Sequence, residues 1–248
     1  MTSVDDELFV LLHRDNNQVA VYSIDDYQRL GYIDLPKFRP NDDSDTTSCV
    51  RQKCLYLSDR HNICIHRYEL ASSATSKWPL PGKSRGLSVT PNGNLLVTCQ
   101  GERNILVELS ADSGECVREI ALRSDIVRPR HSVQLTTGQF VVCHGEWGNL
   151  HRVCVVGDDG KVTHTYGGQP GSDVGQLNYP YHLAVDKDSE FIFVADNGNN
   201  RVVLLSPTLE YVRYVVGGLT YAHRLYFHQA TRRLFVGHGV CGAIVIQL

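Results

Sequence analysis

The sequence predicts an all-β fold: one six-bladed β-propeller of four-stranded antiparallel blades, its last blade incomplete. Three observations carry that expectation. A unit of four short strands separated by turns recurs about every 45 residues. Each copy holds β-type segments only, which at this period points to a propeller. The second strand of the unit aligns six times: Leu8-Phe-Val-Leu-Leu-His13, Cys54-Leu-Tyr-Leu-Ser-Asp59, Asn94-Leu-Leu-Val-Thr-Cys99, Gln139-Phe-Val-Val-Cys-His144, Phe191-Ile-Phe-Val-Ala-Asp196 and Leu234-Phe-Val-Gly-His238.

A third strand follows each copy, over residues 19–23, 63–68, 105–110, 151–156, 202–206 and 243–248. These runs are rich in Val, Ile and Leu, as strands covered on both faces should be. Outer strands are expected over 29–35, 76–80, 116–122, 162–166 and 212–216. Turn chemistry separates them, as in Pro91-Asn-Gly-Asn94, Ala111-Asp-Ser-Gly114 and Gly157-Asp-Asp-Gly160. Blade 1 has a short inner strand around residues 2–4, because Val4 and Leu11 repeat the spacing of Val50 and Leu57. Blade 6 ends after its third strand at Leu248, which leaves an open sheet edge. The expectation is a single domain over residues 1–248, excised from a longer protein or closed at that edge by something else.

A chain of 248 residues can bury roughly 70% of its unfolded surface, enough for a core without covalent staples. Its hydrophobic content of 42% and charged content of 21% are ordinary for a globular domain. A net charge of −3 gives no global signature for nucleic acid or an anionic membrane, so any basic site must arise by local segregation. None of the eight cysteines forms a CxxC pair, and most lie in strands, where a reduced thiol behaves as a small hydrophobe. A reducing, cytoplasmic location is expected. Met1 is followed by Thr2-Ser3 and acidic Asp5-Asp6-Glu7, unlike a secretory leader, and no apolar run approaches membrane-spanning length. No membrane or DNA partner and no cofactor are expected.

The stretch Gly167-Gly-Gln-Pro-Gly-Ser-Asp-Val-Gly-Gln-Leu-Asn-Tyr-Pro-Tyr-His-Leu-Ala-Val-Asp186, with Val194-Ala-Asp196 and Asn200-Arg-Val202, resembles an NHL repeat. The shared pattern is a Gly-rich lead-in, a Pro before the inner strand, Val-Asp, Val-Ala-Asp and Asn-Arg-Val. Blade 5 carries it nearly whole, blade 2 at Leu57-Ser-Asp59 and Asn62-Ile63, and the others in outline. The resemblance implies the recognition domain of a tripartite-motif (TRIM-NHL) protein, in which other domains transfer ubiquitin. No RING, B-box or coiled coil is present in this sequence.

Loops joining one blade to the next, and loops between second and third strands, share the face called the top. Sorting charge by face makes the top relatively basic. It holds Lys37, Arg39, Lys83, Arg85, Arg128, Arg130, Arg152 and Arg224, beside acids that include Asp42, Asp43 and Asp45. Turns of the opposite face carry Asp112, Glu115, Asp158, Asp159, Asp186 and Asp188. Trp147, Tyr179, Tyr181 and Tyr221 add aromatics to the top. Lys83, Arg85, Arg128, Arg130, Trp147, Arg152, Tyr179, Tyr181 and Arg224 form the candidate binding face. A partner protein is the leading expectation, in recognition without catalysis. Single-stranded RNA is the alternative, since cations interleaved with flat rings suit phosphates and stacked bases. Arg60 and Arg201 are expected to pair with Asp59 and Asp196 and brace their own loops.

Histidines suggest a third reading. His131, His182 and His223 begin inner strands, while His13, His144 and His238 end second strands. Antiparallel pairing should bring His131 near His144 and His223 near His238. His131, His182 and His223 are the candidate metal ligands at the channel mouth, since three imidazoles and an open position make a catalytic zinc site. The lyase half of peptide amidation is similar in outline, but there the histidine directly follows the proline. Here one residue intervenes, in Pro129-Arg-His131 and Pro180-Tyr-His182. The Asp42-Asp-Ser-Asp45 run reads as a solvated loop, and its spacing does not fit an EF-hand. There is no phosphate loop, nucleophile elbow or HExxH.

Overall fold

The structure, a computed structural model, describes residues 1–12, 18–35, 38, 44–145, 150–239 and 242–248. Lys37, Arg39, Asp42, Asp43, His13, Cys241 and the candidate site residue Trp147 lie outside the described residues. Six antiparallel sheets follow one another along the chain, five of four strands and the last of three. Blade 1 comprises β1 (Thr2–Val4), β2 (Glu7–Leu11), β3 (Gln18–Ser23) and β4 (Arg29–Asp34). Blade 2 holds β5 (Thr46–Cys49), β6 (Cys54–Asp59), β7 (Cys64–Glu69) and β8 (Thr75–Pro79). In blade 3 come β9 (Lys83–Val89), β10 (Leu95–Gln100), β11 (Ile105–Leu109) and β12 (Cys116–Ala121). Blade 4 is β13 (Pro129–Gln134), β14 (Phe140–His144), β15 (His151–Val156) and β16 (Val162–Gly168). Next in blade 5 are β17 (Pro180–Val185), β18 (Ile192–Asp196), β19 (Arg201–Leu205) and β20 (Tyr211–Gly217). Blade 6 has β21 (Arg224–His228), β22 (Arg233–His238) and β23 (Gly242–Gln247). The helical content of the described residues is one short 3-10 turn, Asn197–Asn199, and no helix is long and apolar enough to cross a membrane.

The short inner strand of blade 1 is present, with Thr2 opposite Phe9. The spacing argument for it needs correction. Val50 lies in the turn after β5 and is 56% exposed, whereas Val4 is a buried strand residue. The two turns differ in length, so equal spacing in sequence does not mean equal pairing.

Six apolar clusters fill the six contacts between neighbouring blades. Leu96, Leu106, Phe140 and Val142 join blades 3 and 4, and Val141, Val153, Leu183 and Val194 join blades 4 and 5. Among the described residues the contact between blades 6 and 1 is the thinnest. Its buried members are Leu8, Ile24 and Phe235. Beside them lies a cavity of about 560 Å³ walled by Val10, Tyr22, Tyr27 and Val245 among others. The third strand of the other blades is mostly buried, but β23 alternates between exposed and half-buried residues, because no outer strand covers it.

Candidate functional site

The inner strands converge on a ring of polar side chains at the channel mouth. Each ring residue lies opposite the next-to-last residue of its blade's second strand. Ser84 faces Cys99, His131 faces Cys143, His182 faces Ala195 and Arg224 faces Gly237. Asp45 completes the set, exchanging bonds with Ser58 from the residue before β5. All five are buried.

Asp45 is the centre of this ring and is 1% exposed. Its carboxylate accepts the Thr46 amide at 2.9 Å on Oδ1 and the Leu87 amide of blade 3 at 2.9 Å on Oδ2. Arg224 Nε stands 3.4 Å from Oδ1, and His182 Nε2 stands 3.4 Å from Oδ2. His131 stacks on His182 with ring centroids 3.7 Å apart, and its Nε2 donates to the Leu87 carbonyl at 3.0 Å. One carboxylate thereby links blades 2, 3, 5 and 6, with blade 4 joined through the stacked imidazoles. Burial works against the Asp45 charge, but His182, Arg224 and His131 outweigh it and hold the carboxyl well below its ordinary range. Burial pushes His131 down to about 3, with His182 adding to the effect, and burial also lowers His182. At neutral pH the ring holds an ionised aspartate, a guanidinium and two neutral imidazoles.

Beside the ring, register shifts re-aim three side chains. The inner strand slips by one residue at Arg85 in blade 3, Arg130 in blade 4 and Tyr181 in blade 5. Such bulges turn a side chain out of the sheet's alternation and are common beside functional sites. The Arg130 guanidinium carbon lies 4.7 Å from the Tyr179 ring centroid and 5.2 Å from that of Tyr181. Arg224 lies 5.3 Å from the same Tyr181 ring. Arg130 also donates to the Tyr179 hydroxyl. Three residues before the ring position, Arg128, Tyr179 and Tyr221 all hold left-handed backbone, with φ of 49°, 60° and 52°. Bulky residues adopt that conformation only where their surroundings impose it. Arg128 and Tyr221 are exposed and Tyr179 is half-buried.

These placements correct the expected open basic face. Arg85, Arg130 and Arg224 are 9%, 7% and 6% exposed. Arg85 donates to the Gln100 side chain at 2.7 Å, and Arg224 to the Ser44 carbonyl at 2.8 Å. Arg152 is half-buried, donating to His144 Nε2 at 2.8 Å and to Asp125 Oδ2 at 2.6 Å. Lys83 and Arg128 are the exposed members of the candidate cations. Inner strands crowd together near the axis, so a cation placed there is enclosed by its neighbours rather than offered to solvent.

The candidate metal set is corrected too. His131 and His182 come together, but Asp45 takes the third place. His223 is half-buried, donating from Nδ1 to the Tyr221 carbonyl at 2.7 Å, and it lines the seam cavity beside His238 as pairing predicts. His144 lies opposite Pro129, and its Nε2 receives Arg152 and meets the Cys154 thiol at 3.5 Å. His131 turns the other way, to the axis. The ring is a poor cation site. His182 Nδ1 accepts the Leu225 amide, so its Nε2 carries the proton that faces Asp45, and Arg224 already supplies positive charge.

Asp45 is the residue that sequence reasoning missed, since it closes an acidic run that reads as solvated. A signal exists: Asp45 stands opposite Ser58 as His131 stands opposite Cys143. The expected brace in blade 5 is present, with Arg201 Nε 2.7 Å from Asp196. In blade 2, Asp59 is bound instead by His66 and Asn62.

The sequence matches no protein-family profile, and no curated protein matches it. Solved structures share the fold. The chain is similar to a structure from a nidogen/laminin complex, with 16% identity, a TM-score of 0.70 and coverage of 94% of this chain and 84% of that one. It is similar to virginiamycin B lyase from Staphylococcus aureus, with 12% identity, a TM-score of 0.65 and coverage of 99% and 83%. It also resembles Kuenenia stuttgartiensis hydrazine synthase, with 13% identity, a TM-score of 0.70 and coverage of 100% and 94%. At such identities the likeness concerns the fold: a six-bladed β-propeller whose last blade has three strands.

Proposed function

We propose that the protein is a recognition module that binds a partner protein through the top face, without catalysis. One observation carries this reading: Tyr181 is held between the guanidiniums of Arg130 and Arg224, with Tyr179 against Arg130. Braced aromatics lose little freedom on binding, and Tyr and Arg lead the residues that anchor protein interfaces. Exposed Tyr221, at 63%, adds an apolar anchor on the same side. The RNA reading draws less support, because a phosphate-tracking groove needs accessible cations. Membership of the tripartite-motif class, with coupling to ubiquitin transfer, remains part of the proposal and rests on the blade 5 repeat. Free thiols at all seven described cysteines suit the reducing, cytoplasmic setting proposed with it.

Photo-crosslinking in cells tests the proposal. A benzophenone amino acid is placed at Tyr221 or Val174 in the top loops, and at Ser113 in a turn of the opposite face. Discrete protein adducts from the top positions, lost on Tyr181→Ala, are the expected outcome. Adducts from Ser113 alone, or top adducts indifferent to Tyr181, would place recognition elsewhere.

A further inference from the structure

Blade 2 departs from blade 5 where the second strand ends. In blade 5 the buried carboxylate of Asp196 faces Arg201 across the β18–β19 pair. In blade 2 the same pairing puts Cys64 opposite Asp59, and two residues further along β7, His66 turns its ring to the carboxylate. An aspartate, a thiol and an imidazole therefore meet where blade 5 has an ion pair. They are 2%, 6% and 5% exposed. One ligand atom from each lies within 4.8 Å of the other two.

We propose that Asp59, Cys64 and His66 form a transition-metal site, suited to zinc, that fastens the second and third strands of blade 2. A tetrahedral zinc with bonds of about 2.0–2.3 Å sets its ligand atoms roughly 3.3–3.5 Å apart. Asp59 Oδ2 and His66 Nε2 are 3.0 Å apart, so a shift of a few tenths of an ångström admits the ion. Mixed sulfur, nitrogen and oxygen donors favour zinc over calcium or magnesium, which take oxygen. Outer contacts already orient the ligands. The Asn62 amide and side chain both donate to Asp59, at 2.9 and 2.8 Å, and Phe38 packs edge-on against the His66 ring at 5.2 Å. Residues 61–63, in the turn between β6 and β7, are exposed. On binding, Cys64 gives its thiol proton to solvent. The proton that His66 Nε2 donates to Asp59 moves by way of solvent to Nδ1, which frees the Nε2 lone pair for the metal. One carboxylate and one thiolate then balance the dication, the part Arg201 plays for Asp196. The fourth position falls to water.

The test is titration of the full chain with cobalt(II) alone, followed by optical absorption, with zinc added afterwards as competitor. The expected result is one equivalent bound, with a thiolate-to-cobalt charge-transfer band that zinc abolishes. Cys64→Ser, close in size, should remove the band. It should also weaken binding beyond the roughly 10–100-fold that loss of an outer-shell partner costs. His66→Gln should do the same, while His182→Gln in the channel ring should leave band and affinity unchanged. Circular dichroism checks that each variant is folded. Absence of a band in the unmodified chain overturns the proposal. So does a band that survives Cys64→Ser, or one lost on His182→Gln.

Discussion

Replacing Asp45 with Asn removes the charge at the centre of the ring and should cost about 3–5 kcal/mol, the usual cost of breaking one side of a buried ion pair. The structure supplies the reasons. Asp45 is 1% exposed, takes amide bonds from Thr46 and Leu87, and faces Arg224, itself 6% exposed. Asn keeps one acceptor oxygen but turns an amide donor toward donors. At least one buried N–H is then unsatisfied, at about 1–3 kcal/mol, within that total. A domain of this size gains 5–15 kcal/mol on folding, so the loss is a large share. With roughly 2–4 °C per kcal/mol, the melting midpoint should fall by about 6–20 °C. Urea unfolding followed by circular dichroism measures it, with an unchanged m-value showing that both states keep their compactness. Adding Arg224→Met should recover part of the loss, with a coupling of about 1–3 kcal/mol. A loss under about 1 kcal/mol, or strict additivity, would refute the ring as the tie between blades.

Three further outcomes follow from the same geometry. Gly86→Ala should destabilise by about 1–3 kcal/mol in urea unfolding, because its Cβ would stand 2.6 Å from the Arg130 carbonyl oxygen and 2.7 Å from His131 Cα; a neutral effect would mean the inner strands of blades 3 and 4 are less closely packed. His131 and His144 have their pKa values lowered by burial, to about 3 and about 4, so their stabilising neutral state is fully held above the unfolded value near 6.5. As pH falls below that value the unfolded chain takes up protons that the folded one refuses, and between pH 7 and 5 stability should drop by about 4 kcal/mol; a flat profile would show that the two rings are solvated. Hydrogen exchange should open β23 and β1 before β14 and β18, since the seam between blades 6 and 1 has three buried apolar residues among the described ones and a cavity beside it; uniform protection would show that the seam is closed.

The repeat was legible because a second strand covered on both faces must be apolar throughout, and Phe191-Ile-Phe-Val-Ala-Asp196 can hardly be anything else. The short last blade was legible because Leu248 follows its third strand directly. The site was legible in part. Tyr179, Tyr181, Arg130 and Arg224 do gather at one mouth, since topology alone brings inner-strand starts together. Their burial was not legible. Arg130 is enclosed at a one-residue bulge that leaves no mark on the hydrophobic alternation, and Arg224 is enclosed in regular strand by the crowding of inner strands near the axis. Asp45 was hidden for a different reason: an acidic run looks solvated unless its last member is aligned against Ser58. The pairing of Asp59 with His66 rather than an arginine could have been noticed from Cys64 standing where blade 5 has Arg201.

The central claim is that the channel mouth offers braced aromatics over enclosed cations rather than an open phosphate track. Fluorescence anisotropy of labelled random single-stranded RNA, at low and moderate salt, tests it most directly, with Arg128→Ala/Arg130→Ala measured alongside. The account predicts weak binding at most, with a shallow salt dependence that the double variant barely changes. Tight binding would contradict it if it fell with salt at a slope of about −0.7 per phosphate over several phosphates and vanished in the double variant, and the top face would then be an RNA reader.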